Sequence, residues 1–528
     1  MTESIPADVQ LPPRAAWVGI TLEALVAFGA AALFLVSCLI IRVYPLDRLG
    51  QISALASLAL RFFVFGIALV LALVLVARYR PARFEATSRL VCAAVAGLVT
   101  AFIAGGILVA LRGTPWGLNG MGGDVGILAQ RAAGLHRGEP LPPLYPPLAL
   151  HVLHYYSDLM DLSTGHAIKH LQILGTAAFG PVAYLSWRLL LRAPWALAIG
   201  VISVLPLVEP YKPFSNLVLV VFVPLCLLFL QHLRDIAVRS SLEITRAAIA
   251  FGIAFGVLCL TYSGWFQWAA PGLFVATLVL FPWKLAPRKA TLFMAITGAA
   301  FALISGRYLA GLFDPAAAVV DNYVYFDVKA EPMYIAMWRG DAPGIVGVWP
   351  PIGELGGVGL FTIVLVIGLG GAIALGRKTP VLIGTVAMLA GAWLLRFYYA
   401  RTMWDTKLVQ LYPRTTIIIT YCLLVLAGYA VYWWVQRRPA DSAVRSRASL
   451  IGAVTALLLL FASAASSTTD RYMPLNTDPP GAGFFAYNAH VTNWNTKRKT
   501  FRTRPLPWIR RAAIESAIEP SSSEPGPR

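Results

Sequence analysis

A glycine-rich segment at positions 113–131 holds the residues whose types and spacing best suit chemistry. Glycines at 117, 120, 122 and 123 precede Asp124, and an apolar stretch with Gln130 and Arg131 follows. Glycine adopts backbone angles closed to other residues, so Asp124 can stand at a tight turn. A carboxylate there either caps the following helix or acts as a general base, and the local pattern alone favours the cap.

A proline-rich segment, Leu141–Pro147 (LPPLYPP), comes next. Each proline fixes its own φ and restrains the residue before it, so the segment is stiff and extended. It either holds Tyr145 rigidly for binding or serves as a structural spacer, and the two interpretations have equal support.

The amphipathic stretch 148–160 is too short and too polar to span a membrane, so we place it at the interface or as a re-entrant helix. Histidines and aspartates recur in and after it at spacings that suit one helix face: His151, His154, Asp158, Asp161, His166 and His170. Such spacing is compatible with a metal site. Because the sequence contains no HExxH-like pattern, it assigns no metal ligands.

Three further segments combine aromatic side chains with charge. They are Glu209–Lys212 (EPYK), Thr261–Trp268 (TYSGWFQW) and Tyr398–Arg414 (YYARTMWDTKLVQLYPR). One interpretation is an aromatic belt with snorkelling cations. The other is a phosphate held at headgroup level by Arg401, Lys407 or Arg414.

Membrane helices must position all of these segments. Of the 528 residues, 58% are hydrophobic and only 13% are charged, about half the charged fraction of soluble domains. This composition excludes a soluble multidomain protein and a disordered one, and it predicts an all-α polytopic membrane protein with about 13 transmembrane helices. The predicted spans are 16–41, 52–77, 90–111, 171–191, 195–208, 215–233, 247–263, 266–283, 291–312, 358–376, 379–396, 415–435 and 448–466. All five cysteines lie inside these runs, which favours buried thiols over disulfides.

Charge alternates from one connection to the next. One set of short connections, with the N-terminus, carries 19 basic residues against six acidic ones, and the other set carries 14 against 13. The positive-inside rule then puts residues 1–15 in the cytoplasm of a multi-pass plasma-membrane protein. The outer face receives three structured loops, 113–170, 314–357 and 398–414, and a basic tail, 467–528. The inner connections supply +13 of the +18 net charge, so no nucleic-acid partner is needed.

In this order, the motifs resemble the cell-wall galactan arabinofuranosyltransferases of actinobacteria, which are integral membrane enzymes of the GT-C type. The likeness runs from about residue 90 to about residue 518. It rests on Asp124, the PPLYPP segment, Lys169, Glu-Pro-Tyr at 209–211, the turn at 262–265, Ala400–Thr402 and a Thr/Asp/Tyr-rich segment after the last span.

The resemblance implies a GT-C-like domain over 16–466 with an extracytoplasmic active site. It implies decaprenylphosphoryl arabinofuranose as the sugar donor and galactan on a polyprenyl carrier, or another lipid-linked glycan, as the acceptor. Membrane lipids would surround the donor and the acceptor. The resemblance assigns no definite cofactor, and it leaves open a requirement for a divalent cation.

The resemblance also implies roles for the residues singled out above. Asp124 would be the base in a single displacement that inverts the anomeric centre. One of the three cations near 401–414 would stabilise the phosphate. The substrate-binding residues would be Tyr145, Lys169, Glu209, Tyr211, Tyr262, Trp265, Arg401, Lys407 and Arg414, with Trp265 offering an apolar face to the sugar.

Two departures from the family pattern bear on this expectation. Only residues 467–528 follow the last span, where family members carry a sizeable soluble domain, and this puts the choice of acceptor in doubt. The basic segment after Thr402 is longer than the family's compact one, which leaves open the cation that meets the phosphate.

Three other functions stay open. A mannosyltransferase that uses polyprenyl-phosphate mannose is the nearest alternative. A transporter or flippase for a lipid-linked solute would need charges deep in the membrane, and away from their ends the spans hold almost none besides Glu23 and Arg61. A silent scaffold in wall synthesis is the third.

The tail contains a basic segment, Thr496–Arg511, with seven cations and no acid. Phe501 and Trp508 lie between the cations. The segment is either a mobile soluble tail or an arm on the outer leaflet, with its aromatic rings in the interface and its cations on lipid or polyprenyl phosphates. The aromatic residues favour the arm, because a purely solvating tail does not need them.

Overall fold

The computed structural model describes residues 14–143, 145–312, 360–376, 378–406, 412–438, 443–476 and 481–503. These ranges contain helices and turns and no β-strand. The helices are α1 (Arg14–Cys38), α2 (Arg48–Tyr79), α3 (Phe84–Ala110), α4 (Gly123–His136), α5 (Pro147–Leu159), α6 (Thr164–Arg188), α7 (Ala193–Trp195), α8 (Ile202–Val204), α9 (Pro213–Arg234), α10 (Ser241–Thr261), α11 (Gly264–Leu280), α12 (Pro287–Leu312), α13 (Leu360–Gly376), α14 (Pro380–Thr406), α15 (Tyr412–Gln436), α16 (Ala443–Arg471) and α17 (Ala482–Thr503). The predicted all-α architecture is confirmed.

Nine helical segments within the described ranges are long and apolar enough to cross a membrane: Val18–Cys38, Arg48–Tyr79, Pro81–Ala110, Pro213–Arg234, Ser241–Thr261, Pro287–Leu312, Pro380–Thr406, Arg414–Gln436 and Ser446–Arg471. Three shorter apolar segments, Ala193–Leu207, Gly264–Leu280 and Ile363–Gly376, coincide with further predicted spans. The span predicted at 171–191 falls on α6. The chain is therefore a multi-pass membrane protein, and the count of about 13 spans stays a prediction.

α3 lies at the centre of the bundle, and α1, α2, α6 and α16 pack around it. Close packing depends on small residues, as is usual for helices in membranes. A side chain at Gly97 would collide with the backbone of Ala27 in α1, and one at Gly180 of α6 would collide with the backbone of Ala96.

The periphery of the bundle is apolar. Leu60 of α2 is 65% exposed and Leu303 of α12 is 86% exposed. Large exposed apolar faces of this kind fit contact with lipid.

A buried ion-pair network joins α1, α3 and α6. Glu23 is 1% exposed, and its carboxylate accepts hydrogen bonds from Arg89 at 2.7 Å, Arg188 at 2.6 Å and the Tyr184 hydroxyl at 2.7 Å. Arg61 donates instead to backbone carbonyls of its own helix and α1. Glu23 and Arg61, the two charges foreseen within the spans, thus have separate partners.

The helical run between α6 and α9 is broken. A π-helical turn (Ala196–Val201) separates α7 from α8, and a 3₁₀ turn that contains Pro206 follows. Proline lacks a backbone N–H and ends regular helix. The chain then makes a turn at 208–212, which places Glu209, Tyr211 and Lys212 at the same end of the bundle as α4.

Two short helices and the last helix cover this end. α4 and α5 pack on each other and on α6. With 13 residues, α5 is about 20 Å long and too short to cross a bilayer, as its sequence indicates. The sequence assigns residues after 466 to a tail, but α16 continues to Arg471, and α17 packs against the segment that precedes α4. The outer loop predicted at 314–357 and the tail from 504 onward lie outside the described residues.

Candidate functional site

The segment before α4 has the tight turns that its glycines predict. Asn119, Gly120 and Gly123 have φ angles of 69°, 57° and 54°. Glycine and, among other residues, asparagine tolerate this left-handed region best. These turns bring Asp124 into the first turn of α4, where a carboxylate interacts favourably with the helix dipole.

Asp124 forms an ion pair with Lys212. The Lys212 ammonium donates to Asp124 Oδ2, and the two side chains are 13% and 35% exposed, respectively. Gly122 occupies the N-cap of α4 and makes no side-chain cap bond. The carboxylate therefore faces the turn at 208–212 rather than capping its own helix.

Tyr211 contacts the start of α4 and the turn before it through its hydroxyl group. Its hydroxyl oxygen accepts hydrogen bonds from the Val125 N–H at 3.3 Å and from Asn119 Nδ2 at 3.4 Å. Burial raises the pKa of Tyr211, and the negative charges of Asp124 and Glu209 raise it further, against the lowering effect of the two hydrogen bonds. Tyr211 is thus a neutral phenol beside the carboxylate.

α17 packs against the ring of Tyr211 and against the loop before Asp124. The ring of Phe485 stacks on Tyr211 with 4.5 Å between centroids and 8° between planes. The carbonyl of Phe485 accepts from the Asn119 N–H at 2.6 Å, and Asn488 Nδ2 donates to Asn119 Oδ1 at 2.9 Å. The loop before Asp124 is therefore clamped between α17 and the turn at 208–212.

Gln172 of α6, a residue that the sequence analysis did not single out, links these parts. Its side chain is buried, accepts from the Leu118 N–H at 2.7 Å and donates to the Tyr211 carbonyl at 3.0 Å. Its signal in the sequence is a single amide inside an otherwise apolar run.

Tyr262, Glu209 and Arg414 extend the same cluster. Burial raises the pKa of Tyr262, the positive charge of Arg414 lowers it, and the negative charges of Glu209 and Asp124 raise it. Two carboxylates and one cation thus act on a single phenol. Five of the predicted site residues, Asp124, Glu209, Tyr211, Tyr262 and Arg414, share this region.

Other predicted site residues lie apart from the cluster. The ring of Tyr145 packs against Arg131 of α4, with 4.4 Å between the guanidinium carbon and the ring centroid. Lys169 donates to the carbonyls of Leu111 at 2.9 Å and Thr114 at 2.6 Å, so it caps the end of α3. Burial lowers the pKa of Lys169, which precedes the predicted span 171–191, to about 8.

The predicted site residues Trp265, Arg401 and Lys407 differ in their surroundings. Trp265 is fully buried and donates to the Ser215 carbonyl at 2.6 Å, so it packs beneath Tyr262 and presents no face to a sugar in this arrangement. Arg401 is exposed on the last turns of α14. Lys407 lies outside the described residues.

Arg396, the last residue of the predicted span 379–396, is a buried cation. It is 1% exposed, donates to the hydroxyls of Thr416 at 2.7 Å and Thr415 at 3.2 Å, and stacks over the Tyr412 ring at 4.2 Å. Its signal is an arginine at the end of one apolar run, facing a threonine pair at the start of the next. It lies near Arg414 in sequence and fold, at the α14–α15 junction.

A groove of 510 Å³ runs beside α4. Met121, Ile127, Gln130 and Thr164 line it, together with the glycines of the first turn. Its lining is mostly apolar and includes Gly123, which precedes Asp124 in the chain. A lipid chain or the apolar face of a sugar suits such a surface.

No protein-family model and no curated protein matches this chain. The geometry of the site is therefore the basis for interpreting it. At one end of the membrane bundle, a carboxylate lies next to a lysine, two phenols and a second cation. Such a set of groups can accept a proton and hold a phosphate.

Proposed function

We propose that this protein is a membrane glycosyltransferase of the GT-C type, active at the outer face of the plasma membrane. It moves an arabinofuranosyl residue from a polyprenyl-phosphate donor to a lipid-linked galactan acceptor. The Asp124–Lys212 pair supports this proposal most directly, because it joins a base and a phosphate-binding cation at the end of the bundle. The order of motifs that resembles the galactan arabinofuranosyltransferases supports the identity of the sugar.

In the proposed reaction, Asp124 takes the proton of the acceptor hydroxyl while that oxygen bonds to the anomeric carbon. The bond between this carbon and the phosphate oxygen breaks, its electron pair leaves with the phosphate, and the anomeric centre is inverted. Lys212 and Arg414 stabilise the negative charge that develops on the phosphate. Tyr211 and Tyr262 orient sugar hydroxyls beside the carboxylate.

In the proposed reaction, Lys212 has two alternative partners, the Asp124 carboxylate and the donor phosphate. Without donor, the Lys212 ammonium pairs with the Asp124 carboxylate. A donor phosphate competes for the same ammonium. Donor binding thus frees the carboxylate to meet the acceptor hydroxyl.

A transporter has less support. Glu23, a charge that such a function would use, is sealed by Arg89, Arg188 and Tyr184 and is 1% exposed. A carboxylate with three hydrogen-bond donors around it is suited to holding helices together.

The test uses the purified full-length protein in lipid nanodiscs. Polyprenyl-phosphate arabinofuranose carrying a radiolabelled sugar is offered with a galactan acceptor, and polyprenyl-phosphate mannose is offered in parallel. The proposal expects label in the acceptor from the arabinose donor. Transfer from mannose alone would make the protein a mannosyltransferase, and no transfer from either donor would contradict a glycosyltransferase.

A further inference from the structure

A second polar cluster lies at the other end of α4 from Asp124. His136, in the last turn of α4, faces His154 and Asp158 of α5. The distance from His136 Nδ1 to Asp158 Oδ1 is 3.1 Å, that from His154 Nε2 to Asp158 Oδ2 is 3.8 Å, and the two imidazole centroids are 4.3 Å apart. One ligand atom from each residue lies within 4.8 Å of the other two.

The hydrogen bonds around Ser157 indicate which ring nitrogen of His136 carries hydrogen. The Ser157 hydroxyl donates to the His154 carbonyl at 2.7 Å, so its proton is engaged. His136 Nε2, 3.2 Å from the same oxygen, must then be the donor to it. In neutral His136 the lone pair is therefore on Nδ1, which faces the Asp158 carboxylate. Two electron-rich atoms at 3.1 Å require a cation between or beside them, either a proton or a metal ion.

We propose that His136, His154 and Asp158 bind one zinc ion. Two imidazole nitrogens and a carboxylate oxygen are a ligand set that Zn²⁺ accepts, at bond lengths of about 2.0–2.2 Å. Tetrahedral bonds of that length separate ligand atoms by about 3.3–3.5 Å. His136 Nδ1 lies 3.1 Å from Asp158 Oδ1 and His154 Nε2 lies 3.8 Å from Asp158 Oδ2, so a rotation of the carboxylate is needed to present one oxygen to an ion between the two rings. The side chains of His136 and Asp158 are 36% and 52% exposed, which leaves a fourth position to water.

Ser157 contributes to this site without touching the metal. By accepting from His136 Nε2, its hydroxyl orients the ring and directs Nδ1 toward Asp158. Metal-ligating histidines usually have such a partner on the other ring nitrogen. His154 and Asp158 are four residues apart on one helix, so both point the same way without strain.

The ion would tie the C-terminal end of α4 to α5. Asp124 stands at the opposite end of the same helix, about 18 Å away along its axis. Zinc would therefore fix the direction of the helix that carries Asp124, and this holds whichever reaction the protein catalyses. The three zinc ligands are positioning residues with respect to Asp124.

Zinc binding by the full-length protein tests the site directly. The purification tag is removed, the protein is stripped with a chelator in detergent micelles, and zinc sulfate is titrated in competition with a chromophoric zinc indicator. We expect one zinc per chain in the wild type. His136→Gln and Asp158→Asn should each weaken binding by about 100-fold or more, since even the loss of a partner outside the ligand set costs about 10–100-fold.

His151→Gln is the matched control, because His151 lies on the same helix as His154 but outside the cluster. It should keep the wild-type affinity. Cobalt supplies a second readout: Co²⁺ in the site should show the visible bands of tetrahedral coordination, and His136→Gln should abolish them. Melting temperatures without metal establish that each variant is folded.

Two results would overturn the site. One is the lack of stoichiometric zinc in the wild type. The other is an affinity that His136→Gln and Asp158→Asn leave unchanged, or that His151→Gln lowers as much as they do. Either result would leave the His136–Asp158 contact as a contact between side chains that binds no metal.

Discussion

At the level of single residues, the site depends on Asp124, which follows a turn of glycines and pairs with Lys212. The glycines before Asp124 predict a tight turn, and the positive φ angles at Gly120 and Gly123 confirm this prediction. The pairing of Asp124 with Lys212 joins positions 88 residues apart. Such a contact depends on how helices pack, so no periodicity within either segment encodes it.

Asp124→Asn should lower turnover by about 10²- to 10⁴-fold, because the amide cannot accept the acceptor proton. Donor binding should persist, since Lys212 is freed rather than removed. The measurement is single-turnover transfer of radiolabelled arabinose beside equilibrium donor binding. Asp405→Asn, at an exposed carboxylate of α14, is the control and should retain wild-type turnover. Near-normal turnover in Asp124→Asn would reject Asp124 as the base.

Lys169 should make stability depend on alkaline pH. Its pKa is about 8 in the folded protein against an ordinary value of 10.5. Between these values the unfolded chain binds more protons, so the contribution of Lys169 to stability rises as pH rises through this window. The free energy of unfolding of the wild type, relative to Lys169→Met, should therefore increase from pH 7.5 to pH 9.5. Denaturant titrations at both pH values measure it, and a constant difference would mean that Lys169 titrates normally.

At the level of elements, α17 is the largest departure from expectation. Its composition is polar, so residues 482–503 look like a tail. Three residues of α17 nevertheless recur at helical spacing and contact the loop before α4 or its neighbour Tyr211: Phe485, Ala489 and Thr492. This helix is stabilised by its packing partner more than by its own propensities, and such support is not visible in one segment alone.

Asn488→Ala should loosen the clamp on this loop. It removes the hydrogen bond to Asn119, worth about 1 kcal/mol, and lets the turns before Asp124 move. We expect a small drop in melting temperature and a severalfold lower turnover. Asn495→Ala, exposed on the same helix, should change neither. Equal effects of the two substitutions would show that the contact with Asn119 does not position the site.

At the level of the whole molecule, α3 separates two polar regions. Arg89, near its start, belongs to the Glu23 network, and its last residues adjoin the loop that leads to Asp124. About 20 helical residues, or about 30 Å, lie between them, which is the thickness of a bilayer core. Hydrophobic composition predicted the helices because lipid imposes one simple rule on every span. The polar contacts that join helices follow no such rule.

Glu23→Gln should destabilise the bundle while leaving the distant site intact. It leaves Arg188 without a buried counterion, which costs about 3 kcal/mol. The melting temperature in micelles should fall, and turnover of the folded protein at room temperature should match the wild type. Glu243→Gln, at an exposed capping box, is the control. A fall in turnover without a fall in melting temperature would contradict a purely structural role.

Topology can be read with single introduced cysteines, because the five native ones are buried. Asn495→Cys on α17 should react with an impermeant thiol reagent in intact cells. Ser241→Cys at the start of α10 should react only after permeabilisation, since its connection belongs to the strongly basic set. The reverse pattern would turn the site toward the cytoplasm and contradict the proposed function.

The contact between α17 and the loop before Asp124 also determines when the site comes into existence. Asn119 and Asn488 are 369 positions apart, and ribosomes extend a chain by about 5–20 residues per second. Asn119 is thus made roughly 20 to 75 s before Asn488. Throughout that interval the loop before Asp124 lacks its partner on α17. Under the proposed function, a chain that ends before α17 would be inserted in the membrane but inactive.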